Sequence, residues 1–262
     1  MIRRVSVAIL ALVVFAAQAL PAADHGVAAP AITADEALAR LKSGNERYVQ
    51  GKATHPNADA ARRAETVKDG QHPIAIVIGC ADSRQPLEIL FDQGVGDIFV
   101  IRVAGNVANT DEIGSAEYAA EHLGVPLCIV LGHTQCGAVT AAVTGGEIPG
   151  NVGALIKGIK LAVAVAQKEH PQLRDKDLVP AAIEANVRRS MANLSSRSEA
   201  LSKLVLEGKL RIEGGVYDLE TGQIKWFGGN ILPEPSVKTK STTEEPKPAA
   251  GDKEHVSPPE QH

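Results

Sequence analysis

Three short apolar stretches set the strongest constraint on how this chain can fold. Residues 74–79 read Ile-Ala-Ile-Val-Ile-Gly, residues 97–103 Asp-Ile-Phe-Val-Ile-Arg-Val, and residues 127–132 Leu-Cys-Ile-Val-Leu-Gly. Each has the length of a strand, and none alternates apolar with polar. A strand that is apolar on both faces must be covered on both faces, as in a parallel sheet layered between helices. The segments around these runs supply the helices, over about 86–91, 113–123, 135–143, 152–168, 179–189 and 196–207. Thr33 with Glu36 has the spacing of a capping box and predicts a further helix through about Val49. Residues 210–217 and 223–227 flank Thr221-Gly222 and predict an antiparallel hairpin. The expected class is α/β, a mainly parallel central β-sheet with an antiparallel edge, flanked by helices.

Aromatic residues make up only 3% of the 262, so the core must be built from Ala, Val, Ile and Leu. The two ends differ from the middle. Arg3 and Arg4 precede an apolar run from Val5 to Phe15 and then small residues up to Ala23. A basic region, a short apolar region and small residues predict a signal peptide over 1–23, and hence a periplasmic or secreted protein. The run is short for a membrane span of about 20 residues. Residues 231–262 are rich in Pro, Glu, Lys, Ser and Thr, and predict a disordered tail. The folded domain is therefore expected over 33–230. A net charge of -4, with acids and bases interspersed, disfavours a nucleic-acid or anionic-membrane partner.

The chemistry lies at the ends of the apolar runs. Cys80 follows the first, His133 follows the third, and Cys136 stands three residues further on. In an open α/β sheet, ligands gather at the carboxyl ends of the strands, so these groups face one crevice. Two thiolates and an imidazole suit zinc and leave its fourth tetrahedral position open, as a catalytic site requires. Alone, the pattern fits a Cys80–Cys136 disulfide equally well, since an exported protein permits one. The neighbours favour the metal: Cys80-Ala81-Asp82-Ser83-Arg84 adds a carboxylate and a guanidinium able to hold it ionised. A disulfide has no use for such a pair.

Cys80-Ala-Asp82-Ser83-Arg84, followed at long range by His133-Thr-Gln-Cys136-Gly137, resembles the paired signature of β-class carbonic anhydrases. The segments Arg102-Val-Ala-Gly-Asn106, Gly114-Ser115-Ala-Glu117-Tyr118-Ala119 and Leu41-Lys-Ser-Gly44-Asn45-Glu-Arg47 are similar to others of that family. The resemblance implies one zinc ion per subunit held by Cys80, His133 and Cys136, and a homodimer or homotetramer. It also implies reversible hydration of carbon dioxide to bicarbonate and a proton. Asp82 and Arg84 become the catalytic dyad, with Asp82 orienting a zinc-bound hydroxide or, in a closed state, ligating the metal itself. Gln71 and Gly137 correspond to positions that contact substrate, and Phe99, Ala104 and Tyr118 to lining positions. One branch of the family carries Trp three residues before the first ligand and has a non-catalytic bicarbonate site. Val77 stands there in this chain, so the resemblance does not extend to that site.

Other residues receive plainer readings. Cys128 is a small apolar residue of its strand, and His72 and His122 are surface or packing histidines. Asn193-Leu-Ser195 is a short glycosylation pattern of the kind that arises by chance. Two other functions compete: hydrolysis of a related linear molecule, carbonyl sulfide or carbon disulfide, on the same fold, and a non-enzymatic zinc or thiol-redox protein. The second leaves Asp82, Arg84 and Gln71 unexplained.

Overall fold

The computed structural model describes residues 32–146 and 148–228. The segments read as signal peptide and tail lie outside them, and so do the last residues assigned to the domain. Five strands form one sheet in the order β2-β1-β3-β4-β5. β1 (Ala75–Gly79), β2 (Ile98–Arg102), β3 (Leu127–His133) and β4 (Arg211–Tyr217) are parallel, and β5 (Ile224–Trp226) closes the edge antiparallel to β4. The expected mixed sheet is thus present, with strand ends within a residue or two of those read from sequence.

Side chains of each strand alternate between two covered faces, which explains the unbroken apolar runs. Ile76, Ile78, Cys128, Val130 and Ile212 pack on one side, against α4 (Thr110–His122), α5 (Gly137–Thr144), α6 (Gly150–Glu169), α7 (Asp175–Ser196) and α8 (Glu199–Leu206). Ala75, Val77, Leu127, Ile129 and Leu131 face the other, against α1 (Ala34–Val49) and α3 (Leu87–Leu90). Cys128 is buried among these apolar residues, and burial pushes its thiol up to about 12. Among the described residues no helix is long and apolar enough to cross a membrane.

Two helices depart from the sequence reading. α2 (Ala60–Asp69) was not expected. It buries no residue and so lacks an apolar stripe, and its entry is set by Asp59, whose side chain accepts from Arg62 N. α7 runs 22 residues instead of 11, passing through Pro180 and on to Ser196. Proline there suggests a helix start, and the polar positions beyond Val187 suggest an end, yet several of those polar groups are buried.

The same three-dimensional demands place glycine inside α1. A Cβ on Gly44 would lie 1.8 Å from the carbonyl oxygen of Phe91. One residue on, Asn45 Nδ2 donates to Leu90 O at 3.1 Å and Gly222 O at 2.9 Å, clamping the helix to the end of α3 and to the hairpin. Helix propensity alone makes Gly44→Ala stabilising by up to about 1 kcal/mol. The contact with Phe91 reverses that sign, and a net loss of about 1–3 kcal/mol is expected. Urea denaturation of the variant measures it; a gain in stability would show that α1 does not sit this close.

Candidate metal centre

Strand order places the site. From β1 the chain crosses to β2 on one side and then, through α4, to β3 on the other, so β1 and β3 flank the point where the winding direction reverses. A crevice opens there beyond the carboxyl ends of the strands. Gly79 pairs with Leu131, so Cys80 and His133 emerge beside each other. Cys136 then serves as the N-cap residue of α5.

The donor atoms of Cys80, His133 and Cys136 all lie within 4.8 Å of one another, and all three residues are buried. The two sulfurs are 4.0 Å apart. Tetrahedral zinc with Zn–S bonds of about 2.3 Å requires roughly 3.8 Å, whereas a disulfide requires about 2.05 Å. His133 Nδ1 is 2.8 Å from Thr134 O and donates to it, which leaves the Nε2 lone pair free. Nε2 is buried and has no hydrogen-bond partner. A buried nitrogen of that kind is costly unless something occupies its lone pair, and a metal ion between it and the sulfurs would do so. The donor set fits zinc.

The sulfurs are poised for such a role. The contact with Cys136 holds the Cys80 thiol well below the usual thiol range, against the opposing effect of burial. His133 and the N–H groups of Gly105 and Asp82, at 3.2 and 3.4 Å from Sγ, reinforce this. Cys136 is pushed upward by the same contact with Cys80 and by burial. Beside them, Asp82 is gripped by Arg84 in bidentate fashion, Nε to Oδ1 at 2.9 Å and Nη2 to Oδ2 at 2.7 Å. The guanidinium holds the Asp82 carboxyl well below the usual carboxylate range, against a smaller effect of burial. Asp82 Oδ2 lies 3.8 Å from His133 Nε2, so the carboxylate borders the donor set without belonging to it.

Residues 75–224 match the family model for carbonic anhydrase. The chain belongs to the β-carbonic anhydrase family. It is 40% identical over 187 residues to carbonic anhydrase 2 of Mycobacterium tuberculosis, covering 70% of this chain and 87% of that protein. It is also 40% identical over 190 residues to a carbonic anhydrase of Mycolicibacterium smegmatis, covering 71% and 89%. Among solved structures, one of two tetrameric β-carbonic anhydrases from Sordaria macrospora superposes with a TM-score of 0.60 at 25% identity, covering 72% of this chain and 95% of that one. A Coccomyxa β-carbonic anhydrase in complex with acetazolamide gives 0.60 at 26% identity, covering 74% and 87%. The protein is therefore a carbonic anhydrase, and carbon dioxide hydration is the activity of its family.

Not every residue expected at the site of this enzyme is brought there. Gln71 is exposed and precedes β1, whereas Cys80 follows it. Five residues of strand put about 16 Å between the two ends, so Gln71 does not reach the metal centre of its own chain. Phe99 pairs with Ile76, four residues before Cys80, and its ring stacks 6.3 Å from that of Tyr118, which in turn lies 5.4 Å from His122. These rings form a cluster beside edge strand β2, not a lining of the site in the same chain. Gly137 does open α5 next to Cys136, and a Cβ there would meet nothing within 4 Å, so the ground beside it is open. Asn193 lies in α7, where its side-chain nitrogen, the atom that the glycosylation pattern would modify, donates to Ala108 O at 3.2 Å.

Two residues without an assigned role hold the site together. Arg102 donates to Cys80 O at 3.0 Å and to Asp82 O at 2.6 Å, fixing the backbone of the loop that carries the thiol and the carboxylate. Gln85 is fully buried. Its Oε1 accepts from Cys80 N at 2.7 Å, and its Nε2 donates to Leu131 O at 3.2 Å and Gly132 O at 3.1 Å. One side chain thus bridges the strand ends that carry Cys80 and His133. No sequence signal marks it, because a glutamine five residues after a cysteine looks like any loop residue. Gln85→Leu should fold but bind zinc more weakly by about 10- to 100-fold. Competition against a chromophoric chelator measures this, and unchanged affinity would reduce Gln85 to a packing residue.

Proposed function

We propose that this enzyme hydrates carbon dioxide to bicarbonate at a single zinc ion per subunit held by Cys80, His133 and Cys136, with Asp82 and Arg84 as its catalytic dyad. The observation that carries this reading is the buried, unpartnered Nε2 of His133 facing two sulfurs, with a clamped carboxylate at their side. Zinc at such a centre supplies a water acidified to a pKa of about 7, so a nucleophile is available at neutral pH. The chain's own residues do the rest. Asp82, ionised and unable to rotate while both its oxygens are bonded to Arg84, accepts the nucleophile's hydrogen bond and so aims its lone pair at carbon dioxide. Because those oxygens are engaged by Arg84, the arrangement supports an open site in which Asp82 is not a ligand. Gly137 leaves space beside Cys136 for the product anion at the start of α5.

The family is known to this chain through carbonic anhydrases, which favours carbon dioxide over carbonyl sulfide or carbon disulfide. A homodimer or homotetramer also belongs to the proposal. A tetrameric relative and the exposed ring of Tyr118 beside edge strand β2 support it, and light scattering on the purified chain tests it. Export by a cleaved signal over 1–23 is part of the same reading and is tested by sequencing the amino terminus of the mature chain.

Alanine at Cys80, His133 or Cys136 should strip the zinc and abolish hydration in stopped-flow assays with parallel metal analysis. Full occupancy and full turnover in any one of them would refute the ligand set. Asp82→Asn should keep its zinc, since the three donors remain, while hydration falls by roughly a hundredfold or more. Near-normal turnover would remove Asp82 from the mechanism.

A further inference from the structure

Asn186, Arg189, Ser190, Asn193 and Arg197 recur at the spacing of one face of α7. On a helix surface such a polar stripe ordinarily faces water. Here Asn186 is only 1% exposed and Ser190 2%. The stripe lines a cavity of about 250 Å³, whose far wall is Val107 and Asn109 from the loop after β2 and Gly158 of α6.

Part of this polar lining is committed to holding the loop. Asn186 Nδ2 donates to Gly105 O at 2.7 Å, Asn193 Nδ2 to Ala108 O at 3.2 Å, and Arg197 Nη1 to Ala108 O at 3.3 Å. The remainder has no protein partner. Arg189 makes no hydrogen bond or ion pair among the described residues, and neither Ser190 Oγ nor the side-chain oxygens of Asn186 and Asn193 take part in one. No Asp or Glu lines the cavity. Two guanidiniums without a carboxylate call for an anion, and their planar forks match oxygen pairs. The free amide oxygens call for a donor, which a fully deprotonated anion cannot provide.

We propose that this cavity binds a small oxyanion that retains a proton, of the hydrogen phosphate or bicarbonate type. The charge goes to Arg189 and Arg197, an oxygen to Ser190 Oγ, and the ligand's O–H to an asparagine oxygen. The volume is below that of sites for drug-sized molecules, consistent with a ligand of a few heavy atoms. The inference concerns a site separate from Cys80, His133 and Cys136, and it holds whether or not the proposed hydration chemistry does.

The test uses the zinc-loaded full chain, with thermal melts and titration calorimetry in inorganic phosphate, bicarbonate, sulfate and chloride at matched ionic strength and pH 7. Phosphate or bicarbonate should raise the melting temperature saturably, by roughly 5–10 °C at a hundredfold excess over Kd. The larger of the two shifts identifies the oxyanion. Sulfate, which carries no proton, and chloride should give far smaller shifts. Arg189→Gln should melt like the parent without ligand, since Arg189 holds nothing in the protein, and should weaken binding at least tenfold. Ser190→Ala should weaken it less. Anion binding at the metal would survive both substitutions. The proposal is overturned if neither phosphate nor bicarbonate gives a saturable shift, if sulfate gives an equal one, or if the shift persists in Arg189→Gln.

Discussion

Parallel pairing of β1 with β3, which sets Gly79 opposite Leu131, is the constraint on which the candidate metal centre rests. Shifting that register by one residue would turn every side chain of β1 to the opposite face. It would exchange the Ile76 and Ile78 contacts with those of Val77, and carry Cys80 away from His133. The register is held along the strands by apolar packing on both faces. At their ends it is held by Gln85, which spans from Cys80 N to the Leu131 and Gly132 carbonyls. Gly79 has no side chain at the point where Gln85 Oε1 and Leu87 come within about 3 Å of where a Cβ would stand, so the bridge can close.

Around this frame the electrostatics are divided between burial and compensation. Burial would neutralise the Cys80 sulfur, yet the neighbouring Cys136, His133 and two backbone N–H groups favour its thiolate. Asp82 is treated differently. It sits nearer the surface and is kept ionised by a bidentate arginine, which also removes its rotational freedom. A buried donor set and a clamped carboxylate at its rim give the site an apolar, pre-arranged interior and one oriented acceptor. Gly105 joins this centre to the helical layer: its N–H reaches Cys80 Sγ and its carbonyl accepts from Asn186 of α7.

That contact also explains the form of α7. Its buried face is polar where it meets the loop after β2 and apolar, through Ile183, Val187, Met191 and Leu194, where it meets the sheet. A helix that must satisfy two different surfaces has no single apolar stripe, and its ends are correspondingly obscure in the sequence.

The sheet was legible in the residues alone, because strands covered on both faces must be apolar throughout and few other arrangements tolerate such runs. The sequence also pointed to Cys80, His133 and Cys136 as candidate ligands and to the Asp82–Arg84 pair beside them, because metal-binding chemistry admits few residue types and these stood at strand ends. What it did not contain was distance across the fold. Whether Gln71 and Phe99 reach the centre depends on which end of β1 they occupy in space. Arg102, and the amide nitrogen of Gln85, act on strand ends and loops far away in sequence. α2 buries nothing and leaves no pattern, and the cavity beside α7 exists only where a helix face, a loop and α6 meet. Local chemistry is written in residue types, but the convergence of distant backbone groups is decided by packing, and only the tertiary structure carries it.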